Sequence, residues 1–419
     1  MKQDIIYKYF FFLFALIPFS ILLGTGVSAI NIILIAISFL IYLFYIKDWK
    51  WLKKTEIKLL FLLYLYLIFN SFISLDFEMG LARNFGFLRF ILFFAAFNYF
   101  FYNYKNFNKV ILIWFVVIIL VVFDIYFEAI TGKNLLGYGN SDRIHSFFRD
   151  EQKVGGYVFC FYLLILGYFL DIYKFQSKKK NYLVLIVSLL FLFSIIATGE
   201  RSNGLKALTA FIIFFLFSKN FLVKEKFFCA ISVILIMSIV YSNSEFIKLR
   251  FGKQLFWKIQ SLSYVIKYFK EDDSSSSTND YHRALGAIYF QLYETGIGVF
   301  KEHKIFGVGN KNFRVKTCSK DSGFVCNTHP HQIYIEFLSE HGIIGTTILL
   351  VIFFSLIFKI LRKINIRDNN LQLGCVIYLS LFFVPLIPGG AFFNDYVSTL
   401  FWINLSFLYA FNKDTNIFK

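Results

Sequence analysis

An all-α polytopic membrane protein is the fold class this sequence predicts, with about twelve transmembrane helices and one large helical loop on the non-cytoplasmic side. Three observations predict it. The 419 residues are 58% hydrophobic with a mean hydropathy of +0.63, whereas a soluble domain is roughly 45–50% apolar. The apolar residues are gathered in long runs, and only 16% of residues are charged. The basic residues collect in alternate connections between those runs, as the positive-inside rule requires of short cytoplasmic loops.

Crossing ~30 Å of hydrocarbon takes about 20 residues of helix. Twelve segments qualify, at about 5–23, 27–46, 57–75, 84–102, 109–128, 154–173, 181–197, 203–218, 227–242, 333–358, 371–388 and 395–411. The seventh and eighth are the shortest. With the N-terminus inside, the cytoplasmic loops hold Lys47, Lys50, Lys53, Lys54 and Lys58, then Lys105 and Lys109, then Lys174, Lys178, Lys179 and Lys180. They continue with Lys219, Lys224 and Lys226, and with Lys359, Arg362, Lys363 and Arg367. The opposite short loops carry Arg83, Arg143, Arg149 and Arg201 and little lysine. Both termini are therefore expected in the cytoplasm. The apolar run that follows Met1 lacks a small-residue cleavage site and is followed closely by a second, so it is expected to be a retained span rather than a signal peptide. The formal charge of +17 is accounted for by this loop bias. No nucleic-acid-binding motif accompanies it, and no nucleic-acid partner is expected.

Three parts follow: spans one to nine over residues 1–242, a periplasmic loop domain over 243–332, and spans ten to twelve over 333–419. A loop this long between spans is more often functional than idle. Leu255, Ile259, Leu262, Ile266 and Phe269, flanked by Lys253, Lys258, Lys267 and Lys270, have the spacing of an amphipathic basic helix. Such a helix lies on a membrane surface or packs on the spans with its charged face in water. Ser274 to Ser277 predicts a flexible hinge, and a second helix is expected from about Tyr281 to Phe300. Cys318 and Cys326 lie in this loop, where an oxidising periplasm would let them pair. Cys160, Cys229 and Cys375 fall in spans as small core residues.

All six histidines, His145, His282, His303, His329, His331 and His341, fall on the outer side. That distribution points to an outward-facing site, away from cytoplasmic nucleotides, using a pre-activated donor such as a lipid pyrophosphate. The densest cluster is Thr328-His-Pro-His-Gln-Ile-Tyr-Ile-Glu336. Pro330 suits the first position of a helix, with Thr328 or His329 as its cap, which places His331 in the first turn. A helix N-terminus disfavours imidazolium and attracts anions, and a neutral imidazole serves as a general base. His329 and His331 do not share a helix face, and no Cys or carboxylate completes a metal-ligand set around them. Neither a metal nor another cofactor is expected. Asp76, Glu78, Asp272 and Asp273 have no partner cluster either. Gly342 and Gly345 suit close helix packing, and Pro385, Pro388, Gly389 and Gly390 break the outer end of the eleventh span.

His331-Gln332, nine residues, then Gly342-Ile-Ile-Gly345 resembles the His-[Asn/Ser/Gln]-x9-Gly-x-x-Gly motif of the O-antigen ligases and related oligosaccharyltransferases. Arg201-Ser-Asn-Gly-Leu205 is similar to that family's Arg-x-x-x-Leu motif. His282-Arg283, followed by a helix and Phe306-Gly-Val-Gly-Asn310, is similar to its loop arginine and glycine-rich turn. The resemblance runs from about residue 10 to 410, with the histidine motif the most specific part. It implies a glycosyltransferase-C-like membrane fold, working without metal, that transfers a glycan from undecaprenyl pyrophosphate to the lipid A core. His331 would be the base, and Arg201 and Arg283 the pyrophosphate binders. Arg143, Arg149 and His329 are further candidates for donor contacts, and solvation of the loop explains the first two equally well.

The chemistry is consistent with that implication. A sugar hydroxyl must lose a proton as it attacks the anomeric carbon, and a positioned imidazole contributes about 10²–10⁴ in rate. Arginine forks bind phosphate bidentately and remain charged. Snorkelling to lipid headgroups is the alternative role for Arg201. The substrates implied are a lipid-linked glycan and a lipid A-core or other glycan acceptor. An O-antigen polymerase, a protein O-oligosaccharyltransferase and a glycolipid transporter are the competing functions, and the expected internal repeats of a transporter are not evident.

Overall fold

In the computed structural model, residues 2–139, 143–148, 151–173, 178–254 and 288–419 are described. Among these residues every regular element is helical. The N-terminal half comprises α1 (Lys2–Ala15), α2 (Ile17–Leu22), α3 (Thr25–Ile46), α4 (Thr55–Phe72), α5 (Phe77–Gly86), α6 (Leu88–Asn103) and α7 (Val110–Thr131). Next come α8 (Val154–Tyr173), α9 (Lys178–Ala197), α10 (Arg201–Phe217) and α11 (Val223–Asn243). Beyond them lie α12 (Ile288–Glu302), α13 (Phe313–Thr317), α14 (Ile333–Lys363), α15 (Asn370–Phe382) and α16 (Asp395–Ala410).

All twelve apolar segments fall on helices, but the count of twelve full spans is not reached. Seven helices are long and apolar enough to cross a membrane, and eight if α11 and its bent continuation Glu245–Lys253 form one span. The protein is thus a multi-pass membrane protein by helix length and hydropathy. The shortfall has a simple cause. The helical stretch 181–197, α10, α15 and α16 have 17, 17, 13 and 16 residues, and at 1.5 Å per residue each falls short of ~30 Å. The eleventh segment, expected to reach residue 388, stops at Phe382, with Pro385 and Pro388 in the loop beyond it. After Asn243 the chain bends by 99°. The segment Glu245–Lys253 then passes over the α9–α10 corner, where its Phe246 and Phe251 rings occupy the space left by Gly199 and Gly204.

Helix α8 is central and packs against α7, α9, α10, α15 and α16. Its crossing with α15 is close because two glycines face the opposite backbones. A Cβ at Gly167 would lie 2.5 Å from the Asn370 carbonyl oxygen, and one at Gly374 would lie 2.6 Å from that of Leu163. At the same end the Asp171 carboxylate accepts the Asn370 and Leu371 amides, both at 2.9 Å. This satisfies donors that a helix N-terminus leaves unpaired. The core is dominated by phenylalanine. Phe401 meets Phe353, Phe382 and Phe392 edge-on at 5.0, 5.3 and 5.2 Å, each pair stabilising by about 0.5–1.5 kcal/mol beyond area burial. Helices α3, α4, α7 and α11 keep exposed apolar faces, as surfaces bathed by lipid do.

Candidate active site

Helix α14 is where the site begins, and its start differs from the expectation. The cap is Gln332, whose side-chain oxygen accepts the Ile335 amide at 2.9 Å. Pro330 is therefore outside the helix, and His331 precedes the cap in a left-handed conformation, φ 58°. That backbone is uncommon for a non-glycine residue, and here it is held from the other side. The His331 carbonyl accepts the Gly389 amide at 2.8 Å. The loop after α15 is in turn fastened to α14. The Glu336 carboxylate accepts the Phe392 amide at 2.9 and 3.1 Å, and Tyr334 donates its hydroxyl to the Phe383 carbonyl at 2.7 Å.

Gly342 does not simply permit close packing; it breaks the helix, with φ 61° and ψ −167°. A break exposes carbonyls before it and amides after it. Residues 304–309 satisfy both sets. The Val308 and Gly309 amides donate to Ser339 and Glu340, each at 2.9 Å. Ile343 and Ile344 donate to Lys304 and Ile305 at 2.8 and 3.2 Å. Asn70 reinforces the junction, accepting the Asn310 amide at 2.8 Å and reaching the Phe306 and Glu340 carbonyls at 3.4 Å. The glycine-rich turn is thus the splint of the helix that presents His331. The disulfide Cys318–Cys326, with Cα atoms 4.4 Å apart, closes the loop that leads into Asn327 and Thr328.

Two aromatic rings lie against His331. The His329 ring lies 3.9 Å from it, centroid to centroid, and Tyr289 of α12 meets it edge-on at 5.8 Å. Arg201, the first residue of α10, is close enough to Tyr289 and Arg143 for its charge to interact with both. Its Nη1 donates to Gln254 Oε1 at 3.0 Å, and Arg250 donates to the same oxygen at 3.0 Å. Arg250 also holds the Gly199 carbonyl through Nε and Nη2 at 3.1 and 2.9 Å. Two guanidinium groups thus share one amide oxygen and concentrate positive charge at this point, a setting suited to an anionic ligand. Glu200, just before Arg201, accepts the Gly155 and Gly156 amides at 2.7 and 3.2 Å and thereby caps α8. Burial pushes its carboxyl up, opposed by Asn203, those amides and the Arg143 charge.

His329 stands on the same ledge, with Nδ1 3.0 Å from the Thr328 hydroxyl. Burial first, then the neighbouring His331 and Arg314, pushes its imidazole down to about 4. His341, by contrast, is fully buried inside α14 against Tyr66, Phe337 and Phe393. His145 is buried beside Glu128, whose carboxylate accepts the His145 and Ser146 amides. Asp76 caps α5 by accepting the Met79 amide at 2.9 Å. Among the described residues no group of three or more His, Cys, Asp or Glu side chains converges as a ligand set.

His331 thus meets His329 and Tyr289, and Tyr289 and Arg143 lie within electrostatic range of Arg201. Arg149, His282, Arg283, Asp272, Asp273, the basic amphipathic segment beyond Gln254 and the serine hinge lie outside the described residues. Four participants went unrecognised in the sequence. Tyr289 falls within the helix expected from about Tyr281 to Phe300 but carries no motif, and neither do Arg250, Gln254 and Arg314. The signal available was positional: polar and cationic residues immediately flanking a span's outer end.

Comparison with curated proteins gives no match. Residues 186–350, which run from α9 through the broken part of α14 and carry Arg201, Gln254, Tyr289, His329 and His331, match the family model described as O-antigen ligase.

Proposed function

We propose that the protein transfers O-antigen glycan from undecaprenyl pyrophosphate to a lipid A-core acceptor at the periplasmic face of the bacterial inner membrane. His331 takes the proton of the acceptor hydroxyl as its oxygen forms a bond to the anomeric carbon. The bond from that carbon to the pyrophosphate oxygen breaks, and polyprenyl pyrophosphate departs carrying the electron pair. Arg201 and Arg283 hold the departing pyrophosphate, with Arg143, Arg149 and His329 as further donor contacts; Arg283 and Arg149 enter through the family motif and the loop position alone. No metal and no cofactor is invoked.

The observation that carries this reading is the run Arg201–Tyr289–His331 within the matched segment. Tyr289 stacks its edge on the imidazole and shares the electrostatic field of the arginine. A proton acceptor thereby stands next to a cationic patch, as glycosyl transfer from a pyrophosphate requires. Polymerisation of lipid-linked repeat units uses the same donor and the same machinery, so it is the second reading, favoured equally by the family match.

Two experiments test it. Purified protein given lipid-linked glycan and acceptor should lose at least ~10²-fold activity on His331→Ala, with unchanged membrane insertion; parent-like turnover removes His331 from the base role. In a deletion strain, finished polymer stranded on the lipid carrier identifies a ligase, and single repeat units on the lipid A core identify a polymerase.

A further inference from the structure

Helix α10 carries a second cation, Lys206, on which the reading above does not draw. Its side chain is largely buried, and no acid partners it among the described residues. Its one polar-type contact is with a π face: Nζ lies 5.9 Å from the centroid of the Phe382 ring. Lys206, Asn203, Tyr378, Phe382, Gly389 and Gly390 line a crevice of about 140 Å³ between α8, α10, α15 and α16. Gly389 is the residue whose amide holds the His331 carbonyl, so the crevice adjoins the candidate site. Ser202 and Asn203 give its wall a polar part, and Phe159, Ile333, Phe382 and Leu400 an aromatic and aliphatic one.

An ammonium kept in apolar surroundings without a counter-charge is costly. Five residues separate it from Arg201, which is about 7.5 Å along the helix axis toward the membrane interior at 1.5 Å per residue. A lipid-linked substrate must order its parts along that same line, with glycan outermost, phosphates next and the isoprenyl chain deepest. We propose that Lys206 and its crevice bind the lipid-proximal phosphate of an isoprenyl pyrophosphate. Lys206 is then a substrate-binding residue that sets the depth at which the scissile bond meets His331. The inference rests on the lipid-linked donor assigned under the proposed function.

The test uses full-length protein carrying His331→Ala, so that no turnover interferes, with farnesyl pyrophosphate and inorganic pyrophosphate as probes. Lys206→Met, close in shape and apolar, should weaken farnesyl pyrophosphate binding at least about tenfold, and Lys206→Arg should keep it within about threefold. Inorganic pyrophosphate should bind more weakly and change less. Farnesyl pyrophosphate affinity unaltered by Lys206→Met overturns the proposal, and so does a loss confined to inorganic pyrophosphate. Should Lys206→Met fail to remain monodisperse, Lys206→Gln is read in the same way. Because binding is measured without turnover, failure of His331 as a base leaves the phosphate subsite standing, and failure of the subsite leaves the base assignment untouched.

Discussion

The imidazole rings of His329 and His331 lie 3.9 Å apart, inclined by 45°. Two rings so close cannot both carry a proton without strong repulsion. His329 is held neutral by burial, by its neighbour and by Arg314, down to about pH 4. Under the proposed function, a neutral neighbour means that a proton taken from the acceptor by His331 adds one positive charge to this pair of rings rather than two.

The same shift predicts how stability follows pH. In the unfolded chain His329 binds a proton near its ordinary value of 6.5, whereas in the folded protein it does so only near 4. Between those values the unfolded state holds more protons, so acidification favours unfolding. Stability should fall as pH drops through 6.5 to 4 and level off below, by at most about 3.5 kcal/mol at ~1.4 kcal/mol per unit. Thermal unfolding of parent and His329→Gln protein in detergent measures this. The difference between their curves should vanish above about pH 7, and parallel curves throughout would refute it.

Arg201 shares the Gln254 oxygen with Arg250, which fixes its guanidinium plane while other donors stay available. Lysine at 201 keeps the charge and loses the fork. Arg201→Lys should therefore lower kcat/KM for glycan transfer by at least about tenfold, roughly 1.4 kcal/mol of lost stabilisation. Steady-state kinetics decides it: a lysine enzyme within about twofold of the parent means that a point charge is sufficient.

The Cys318–Cys326 bridge closes a loop of eight residues immediately before the histidine ledge. Thr317 continues the restraint, its hydroxyl donating to the Asn327 carbonyl at 3.2 Å. On a chain-entropy basis such a short loop contributes about 2–3 kcal/mol. Cys318→Ser, or reduction, should speed limited proteolysis between residues 313 and 328 and slow transfer through misplacement of His329 and His331. Intact loop and activity after verified reduction would make the bridge dispensable.

How much of this was legible in the sequence depends on what kind of signal each feature leaves. Apolar runs and lysine-rich loops are one-dimensional signals, so every expected span lies on a helix. Helix length is less legible, because proline-rich ends such as Pro385 and Pro388 let the chain stop at Phe382 while the apolar composition continues. For the candidate site, the sequence singles out Arg201 and His331 through motifs alone, and the family match covers both. The sequence places the start of α14 at Pro330 because proline is a good first helical residue in isolation, whereas tertiary bonding from Gly389 holds His331 out of the helix. Arg250 and Gln254 come to Arg201 through a 99° bend after Asn243 that no local pattern announces.

Gly342 offers the sharpest separation between local and tertiary reasoning. It lies within what composition presents as one continuous helix, where replacing glycine by alanine ordinarily stabilises by about 1 kcal/mol. Its φ of 61° lies in the left-handed region, which costs an alanine roughly 1–2 kcal/mol. A Cβ there would also lie 2.3 Å from the Ile305 carbonyl oxygen, inside the strand of backbone that pairs with residues 339–344. Relief requires that pairing to open, freeing the Val308, Gly309, Ile343 and Ile344 amides from their acceptors. Gly342→Ala should therefore destabilise the purified protein by more than about 2 kcal/mol, lowering its unfolding temperature in detergent, and should impair transfer even where folded protein is recovered, because the residues that present His331 hang from this junction. A raised unfolding temperature would mean that α14 runs straight through residue 342 and that the glycine-rich turn at 306–310 does not splint it.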